Sequence, residues 1–356
     1  MVSATIDTAA LKHNLQAVRQ WAPRSRVMAV IKANAYGHGL VAVARALDAA
    51  DSFAVARVDE GLTLRAAGIE KRTLLLEGVF DREQLNAAAG AGFELVVHTI
   101  EQIELLRAAP SGTGFKVWLK LDTGMNRLGF KGGEFDAALA SLSALRGVQT
   151  PVNLFTHLAC ADDPELPATT EQLARFAGAT RSLPGERSIA NSAGMLSFPE
   201  AQADWVRPGL LLYGVSPFLG SIGADYELKP AMTLQSHVIA VKDLVPGERV
   251  GYGGDWTASR PTRLAVAAVG YGDGYPRNLT SGSPVLVNGV RAPLAGRVSM
   301  DMIGIDVTDL AHAPKLGDPV ILWGEGLPVE EIAVWANTIP YELLCGISQR
   351  VAVTLL

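Results

Sequence analysis

The sequence predicts an α/β architecture: an N-terminal (β/α)8 barrel followed by a mostly β C-terminal domain. Three observations carry this. Eight short apolar runs alternate with Ala-rich, helix-like stretches over roughly 220 residues, the rhythm of repeated β/α units. Near Lys229 and Pro230 the texture changes, and β-branched runs punctuated by Gly and Pro replace the long helical patterns. The chain length of 356 residues accommodates two such domains, since one barrel alone takes about 250. Periodicity by itself is also compatible with an open doubly wound sheet, and no short sequence repeat underlies it.

The elements follow in order. Asp7 precedes Leu11, Leu15 and Val18, which is helical spacing with an N-cap. Residues 26–33 (RVMAVIKA) form a buried strand, followed by the turn-rich NAYGHG and a helical pattern through Val43 and Leu47. Residues 53–56, 73–76, 94–97, 115–121, 152–156, 187–190 and 205–206 supply the other seven strands. The boundary falls near residue 225, inside SIGADYELKP, which gives domains 1–225 and 226–356. Beyond it, residues 233–241, 262–269, 284–287, 302–307 and 319–322 read as strands of a mostly antiparallel domain, and 330–335 as a short helix.

Composition excludes several classes. Hydrophobic residues make up 49% and charged residues 19%, so the chain buries a sizeable core and is not disordered. The net charge of -5 comes with no clustered basic face, so no nucleic-acid partner is expected. The longest apolar runs fall far short of the roughly 18 residues that a membrane span needs. The N-terminus MVSATIDTAALKHN lacks a basic region followed by an apolar one. With only Cys160 and Cys345, a reducing cytoplasm and two free thiols are expected, and no metal.

Candidate chemistry gathers at strand ends, where barrels place their catalytic groups. Lys32 ends the first strand, partly desolvated, which favours the neutral nucleophilic amine that a Schiff base with an aldehyde cofactor requires. The bland alternative is a lysine that simply reaches solvent. Tyr36 and His38 follow in the same loop, with a hydroxyl suited to a phosphate oxygen or an aromatic packed on a helix. In LKLDTGMNRLGF, Lys120 lies late in a strand, Asp122-Thr123-Gly124 forms a turn, and Arg127 suits bidentate capture of a carboxylate. Two cations this close need a counter-charge. His157 ends the sixth strand. Ser192 follows the seventh in ANSAG, and Arg207-Pro208-Gly209 follows the eighth. Phosphate sites in barrels commonly lie after strands seven and eight. In the second domain, VGYGG, VGYGDGY and GRVSMD place Tyr252, Tyr271 and Met300–Asp301 in Gly-rich loops, which are either ligand loops or ordinary hairpins. GYGDGY lacks the spacing of a dinucleotide fingerprint.

The motifs IKANAYGHG, KLDTGMNRLGF, FTHLACAD, NSAGML, VRPGLLLYG, GYGGDW, GYGDGYPR, GRVSMD and YELLC stand in this order. The series resembles that of the alanine racemases over essentially the whole chain, residues 6–350. The resemblance implies pyridoxal 5'-phosphate (PLP) as cofactor, interconversion of L- and D-alanine, and a homodimer with shared sites. Lys32 looks like the lysine that anchors PLP and acts as one acid/base, and Tyr252, supplied by the other subunit, like the opposite-face acid/base. Arg207 resembles the residue facing the pyridine nitrogen, His157 its neighbour towards Tyr252, and Arg127 the guanidinium that orients the substrate carboxylate. Lys120 resembles a lysine often carbamylated in the family, which would supply the missing counter-charge. Tyr36, Ser192, Gly209 and Leu210 resemble the phosphate cup, Leu210 through its N–H. Tyr271 resembles the entrance gate, and Met300 and Asp301 the partner-subunit loop that closes the pocket.

Two positions depart from some members: Gln349 stands where they have Tyr, and Ser188 where they have His. They bear on cofactor affinity and rate. Two bases on opposite faces suffice for racemisation once the cofactor acidifies the alpha proton. A free tyrosine ionises near about pH 10, so Tyr252 as a base needs positive charge, expected from His157 and Arg207. An arginine at the pyridine nitrogen is also expected to limit delocalisation into the ring and suppress transamination. The competing readings are a broader-specificity amino-acid racemase, a decarboxylase of the same architecture and a non-catalytic PLP-binding protein. Arg207 argues against the decarboxylase, and the second domain with its tyrosine against the carrier.

Overall fold

The computed structural model describes residues 2–109 and 113–356. Short apolar runs buried on both faces become parallel strands, because helices cover one side and the barrel interior the other. Arg26–Val30, Ser52–Val55, Thr73–Leu75, Glu94–Val97, Val117–Lys120, Asn153–Phe155, Arg187–Ser188 and Trp205–Val206 pair in sequence order. The last closes on the first, with Arg26 opposite Trp205 and Val27 opposite Val206. The sheet is therefore a closed barrel and not an open doubly wound one.

The N-terminal end of the barrel is plugged. Trp118 and Trp205 meet edge to face with ring centroids 6.3 Å apart. Their indole N–H groups donate to Glu94 Oε2 at 2.7 Å and to Glu186 Oε2 at 3.0 Å. Arg72 pairs with both carboxylates, so neither acid is an uncompensated charge. The opposite rim, where the strands end, is the one at which barrels place their chemistry.

The second domain is mostly β. Met232–Leu244 is its spine, paired antiparallel with Pro319–Trp323, Ser3–Ile6 and Thr262–Ala267. Ile303–Asp306, Pro284–Val287 and Val290–Pro293 extend the sheet. Val329–Trp335 and Pro340–Cys345 are its helices. The strand Ser3–Ile6 was not foreseen. It lies between Met232–Leu244 and the parallel strand Ala352–Leu355, so the start of the chain belongs to the second sheet.

Helix Thr8–Trp21 then crosses to the barrel. Asp7 caps it by accepting from Ala9 and Ala10 N–H, and Leu11, Leu15 and Val18 form its buried face. Asn14, fully buried, donates to Leu212 O and Lys229 O and accepts from Lys229 N–H. That one side chain ties the helix to the segment joining barrel and sheet. Cys160 and Cys345 are unpaired. Among the described residues no helix is long and apolar enough to cross a membrane.

Candidate active site

Lys32 leaves the first barrel strand in an unusual way. The strand ends at Val30, and the expected NAYGHG turn is a left-handed helical turn: Ala33, Asn34, Ala35 and Tyr36 have φ of 53°, 53°, 54° and 52°. Left-handed backbone costs an L-residue roughly 1–2 kcal/mol each, so the run is strained by several kcal/mol. It is held by bonds from Ala35 N to Ile31 O at 2.9 Å and from Gly37 N to Ala33 O and Gly39 N to Asn34 O, both at 3.0 Å. Asn34 Oδ1 accepts from Leu40 N at 2.9 Å, and Glu60 Oε1 from Ala33 N at 2.6 Å. Gly37, at φ 79°, must be glycine, because a Cβ there would stand 2.1 Å from Leu344 O. Strain of this kind persists where the surroundings over-determine it.

The turn delivers Tyr36 into a buried slot between Tyr213 and Tyr341, with ring centroids 4.8 and 5.6 Å away. Burial pushes its phenol well up, so it stays a hydroxyl donor. Its neighbour is Gly209, where a Cβ would lie 2.6 Å from Tyr36 Oη. Gly209 N donates to Ser192 Oγ at 2.9 Å, which leaves the Ser192 O–H free to donate onward. Ser192 opens the helix Ser192–Ser197 and Leu210 the 3-10 helix Leu210–Tyr213. The first N–H groups of a helix lack intrahelical acceptors. Hydroxyls and N–H groups thus converge from strands one, seven and eight.

Cations line the rest of the rim. Arg207 is buried over the Phe155 ring, 4.0 Å from its centroid. It donates to Ser188 Oγ at 2.6 Å, Thr156 O at 2.7 Å and Ile189 O at 3.0 Å. With neutral acceptors only, burial lowers its pKa to about 9, which leaves it charged at neutral pH. His157 Nδ1 lies 3.2 Å from Arg207 Nη2. A guanidinium only donates, so Nδ1 is the acceptor and Nε2 carries the proton. Burial, then Arg207, Lys120, Arg127 and Lys32, hold His157 well below its ordinary value. The expectation that His157 supplies positive charge is corrected here: the imidazole is neutral, and the charge resides on Arg207.

Lys120, at the end of Val117–Lys120, has its Nζ 5.7 Å from the Phe155 ring centroid. Burial, followed by Arg207 and Arg127, lowers its pKa to about 8, against the opposing pull of Asp122. Asp122 Oδ1 accepts from Gly124 N and Asn126 N, which shapes the turn leading to Arg127. The structure therefore brings Lys32, Lys120, Arg127, His157 and Arg207 into one electrostatic cluster, with the Tyr36, Ser192, Gly209 and Leu210 cradle beside it.

Sequence reasoning passed over the residues that hold this cluster. Gln172, buried on helix Ala168–Thr180, donates to Thr123 Oγ1 and His157 O at 3.0 Å and accepts from Ala159 N at 2.9 Å. It joins the loops after strands five and six. The available signal was a glutamine beside Leu173 on the buried face of an amphipathic helix. Ser188, noted only as a departure, is an acceptor for Arg207. Gln349 is exposed.

The second-domain residues do not join the barrel rim within one chain. Tyr252 is 71% exposed, Tyr271 42% and Met300 53%. They share a surface. Tyr271 N bonds to Ser299 O at 3.0 Å and Gly272 N to Met300 O at 2.9 Å, which zips the two loops together. Arg350 clamps both through Asp273 at 3.3 Å and Asp301 at 2.7 Å. The hairpin of Arg249–Val250 and Trp256–Thr257, which carries Tyr252, is tied to the same loop by the Arg297–Asp255 pair.

The residues fit PLP: an amine on a fixed turn, a donor-rich cradle where a Cβ at position 209 would intrude, and a cationic floor for an anionic ligand.

Residues 6–217 match the model of the alanine racemase N-terminal domain, and 231–355 that of its C-terminal domain. Curated alanine racemases of Aeromonas hydrophila and Shewanella amazonensis are both 51% identical, over 98% and 99% of this chain and 97% and 98% of their own. The biosynthetic alanine racemase structure from Pseudomonas aeruginosa superposes with a TM-score of 0.96 at 45% identity, covering 100% of this chain and 99% of that one. The alanine racemase from Bartonella henselae, solved with covalently bound pyridoxal phosphate, gives 0.89 at 31%, covering 100% and 99%. The chain belongs to the alanine racemase family.

Proposed function

We propose that this chain interconverts L- and D-alanine by two-base proton transfer, with PLP held on Lys32 in a cytoplasmic homodimer, and so supplies or consumes D-alanine for peptidoglycan metabolism. The observation that carries the reading is the meeting of Lys32, the Tyr36–Ser192–Gly209 cradle and the Arg207–His157 pair at one barrel rim. We divide the chain near residue 225, with Ser3–Ile6 lent to the second domain.

PLP, when bound, supplies an electron sink that makes the alpha proton of an attached amino acid removable. Tyr36 O–H, Ser192 O–H and the N–H of Leu210 are suited to its phosphate, with Gly209 holding the Ser192 hydroxyl as acceptor and leaving the space a Cβ would fill, and Arg207 is suited to its ring nitrogen. Arg127 orients the substrate carboxylate by paired N–H donors. Lys32 Nζ exchanges a proton with the substrate alpha carbon on one face. Tyr252 Oη of the partner subunit does so on the other. His157, protonated on Nε2 and backed by Arg207, offers a hydrogen bond to stabilise that oxygen when it is ionised. The exposed patch of Tyr252, Tyr271, Met300 and Met302 suits a face that is covered in a dimer, and Tyr271, Met300 and Asp301 then close the partner's pocket.

Lys120 is poised for carbamylation. With a pKa of about 8, part of its amine is neutral at pH 7. The lone pair adds to carbon dioxide, an N–C bond forms as one C=O π bond opens and places its electrons on oxygen, and the amine proton leaves to solvent. The resulting anion offsets Arg127 and Arg207.

Exchange of the alpha proton of L- and D-alanine into deuterated water, compared with serine and lysine, tests the substrate. Tyr252→Phe is expected to slow abstraction from L-alanine far more than it weakens PLP binding, and Lys32→Ala to abolish the absorbance of lysine-bound PLP. Unchanged turnover in Tyr252→Phe would remove Tyr252 from the reaction.

A further inference from the structure

We propose that Glu60 is a positioning residue for Lys32: by accepting the backbone N–H of Ala33, its carboxylate holds the left-handed turn that presents the lysine amine. This role rests on the assignment of Lys32 to the cofactor made above.

Glu60 is the third residue of helix Val58–Ala66, which follows the second barrel strand. Its Oε2 accepts from Ala56 N at 2.7 Å and Arg57 N at 3.2 Å. Those two bonds suffice to cap its own helix. Oε1 does something different, reaching across to Ala33 N at 2.6 Å, 27 positions away in the chain. Within the left-handed turn the first bond runs from Ala35 N to Ile31 O, so Ala33 N has no acceptor inside the turn. Glu60 supplies one, and a carboxylate acceptor is stronger than a neutral one.

Four left-handed residues in a row have a strong tendency to relax. Asn34 restrains the far end of the turn through Leu40 N, and Leu344 packs on Gly37. At the near end Tyr213 Oη donates to Val30 O at 3.0 Å, before Lys32, and Glu60 binds the backbone just after it, at Ala33 N. Release of Ala33 N would let the peptide after Lys32 rotate and redirect its Cα–Cβ bond. Capture of PLP requires the neutral amine to add to the aldehyde carbon, with one water leaving. Misplacement of such a nucleophile by about 1 Å costs on the order of a hundredfold in rate.

Glu60→Gln in the full-length holoprotein is the test. The amide has one carbonyl oxygen, so it serves either Ala33 or the helix cap, and its NH2 then opposes an N–H. Two readouts are followed: amide hydrogen exchange of residues 31–39, and the rate at which added PLP is recaptured after release by hydroxylamine. Glu60→Gln is expected to raise exchange in that segment by roughly tenfold and to slow recapture by about ten- to a hundredfold. Ala33→Gly in the same background should recover most of both, because glycine adopts left-handed backbone without penalty. Should Glu60→Gln fold poorly, Glu60→Asp keeps the charge at the helix N-terminus but loses the reach to Ala33, and the same results are expected. Wild-type exchange and recapture in these variants, or losses that Ala33→Gly does not recover, would leave Glu60 as a helix cap and overturn the proposal. Lys32→Ala separates the two claims: retention of covalently bound PLP in that variant refutes the Lys32 assignment, whatever Glu60 does.

Discussion

A single methyl group added at position 209 probes the proposed phosphate cradle most directly. In Gly209→Ala the new Cβ would lie 2.6 Å from Tyr36 Oη and 3.2 Å from Cζ. Carbon contacts are comfortable at about 3.5–4.0 Å, so the hydroxyl must retreat by roughly 1 Å. Tyr213 and Tyr341 flank the ring and leave it little room. The φ of Gly209 is −117°, so no left-handed penalty is added. Overpacking of this kind costs about 1–3 kcal/mol of stability. Loss of the hydroxyl's bond to an anionic phosphate costs a further 1.5–3 kcal/mol or so in binding, an increase in PLP dissociation constant of about ten- to a hundredfold. One atom carries both effects, which makes the reasoning testable by a double-mutant cycle. Tyr36→Phe removes Oη and with it the worst contact, so Gly209→Ala should cost little in that background, a coupling of about 1–2 kcal/mol. PLP titration and urea denaturation of the four proteins measure this. Gly178→Ala serves as control: its Cβ meets nothing on helix Ala168–Thr180, so it should stabilise by about 0.5–1 kcal/mol and leave PLP binding unchanged. Strictly additive losses, or wild-type PLP affinity in Gly209→Ala, would refute the cradle as drawn.

Arg207→Gln removes the chief neighbouring charge that depresses Lys120, so the lysine pKa should rise from about 8 towards its ordinary value. Carbamate detected with isotopically labelled bicarbonate should then decline, and equal carbamate in both proteins would contradict the electrostatic argument. Burial holds His38 to a pKa of about 4 and His157 well below its ordinary value. Below about pH 6.5 the unfolded chain therefore binds more protons than the fold, and stability falls towards pH 4 by up to roughly 1.4 kcal/mol per pH unit for each histidine. Urea midpoints between pH 4.5 and 7 should show that slope, and His38→Phe should remove the share that His38 contributes, leaving that of His157. Gln172→Leu leaves His157 O and Ala159 N without their side-chain partner, at a cost of about 1–3 kcal/mol. It should lower turnover of alanine more than it weakens PLP binding, and a loss confined to PLP affinity would place Gln172 outside the His157 loop's function.

Much of the architecture was legible. All eight barrel strands were visible as short runs between helix-like stretches, and most of them are apolar because a parallel strand covered on both faces does not alternate; Arg187–Ser188 is the exception. The edges of the second sheet were not. Val290–Pro293 and Ala352–Leu355 are each four residues long, and the latter is exposed throughout, so burial leaves little pattern to read; Ser3–Ile6, an inner strand, was missed because it is only four residues long. At the site, the chemistry-bearing residues stood out by type and position at strand ends. Their supports did not. Glu60, Gln172 and Ser188 act through bonds to backbone or side chains 27, 15 and 19 positions away, and no local pattern encodes those partners.

What the sequence determined by itself was the set of candidate site residues and the rim that holds them: Lys32, His157, Arg207 and the small residues at 192 and 209 follow strands whose ends are set by hydrophobic pattern. The tertiary structure decided their state. Burial beside Arg207 makes His157 neutral and protonated on Nε2, a property of neighbours 50 positions apart. Contacts from Glu60 and Leu344 hold four successive residues left-handed after Lys32, against their local preference. Closure of the barrel was likewise decided by the pairing of Arg26–Val30 with Trp205–Val206. Local pattern selects which residues meet water or core, whereas protonation, strain and closure depend on groups that come together only when the chain is folded.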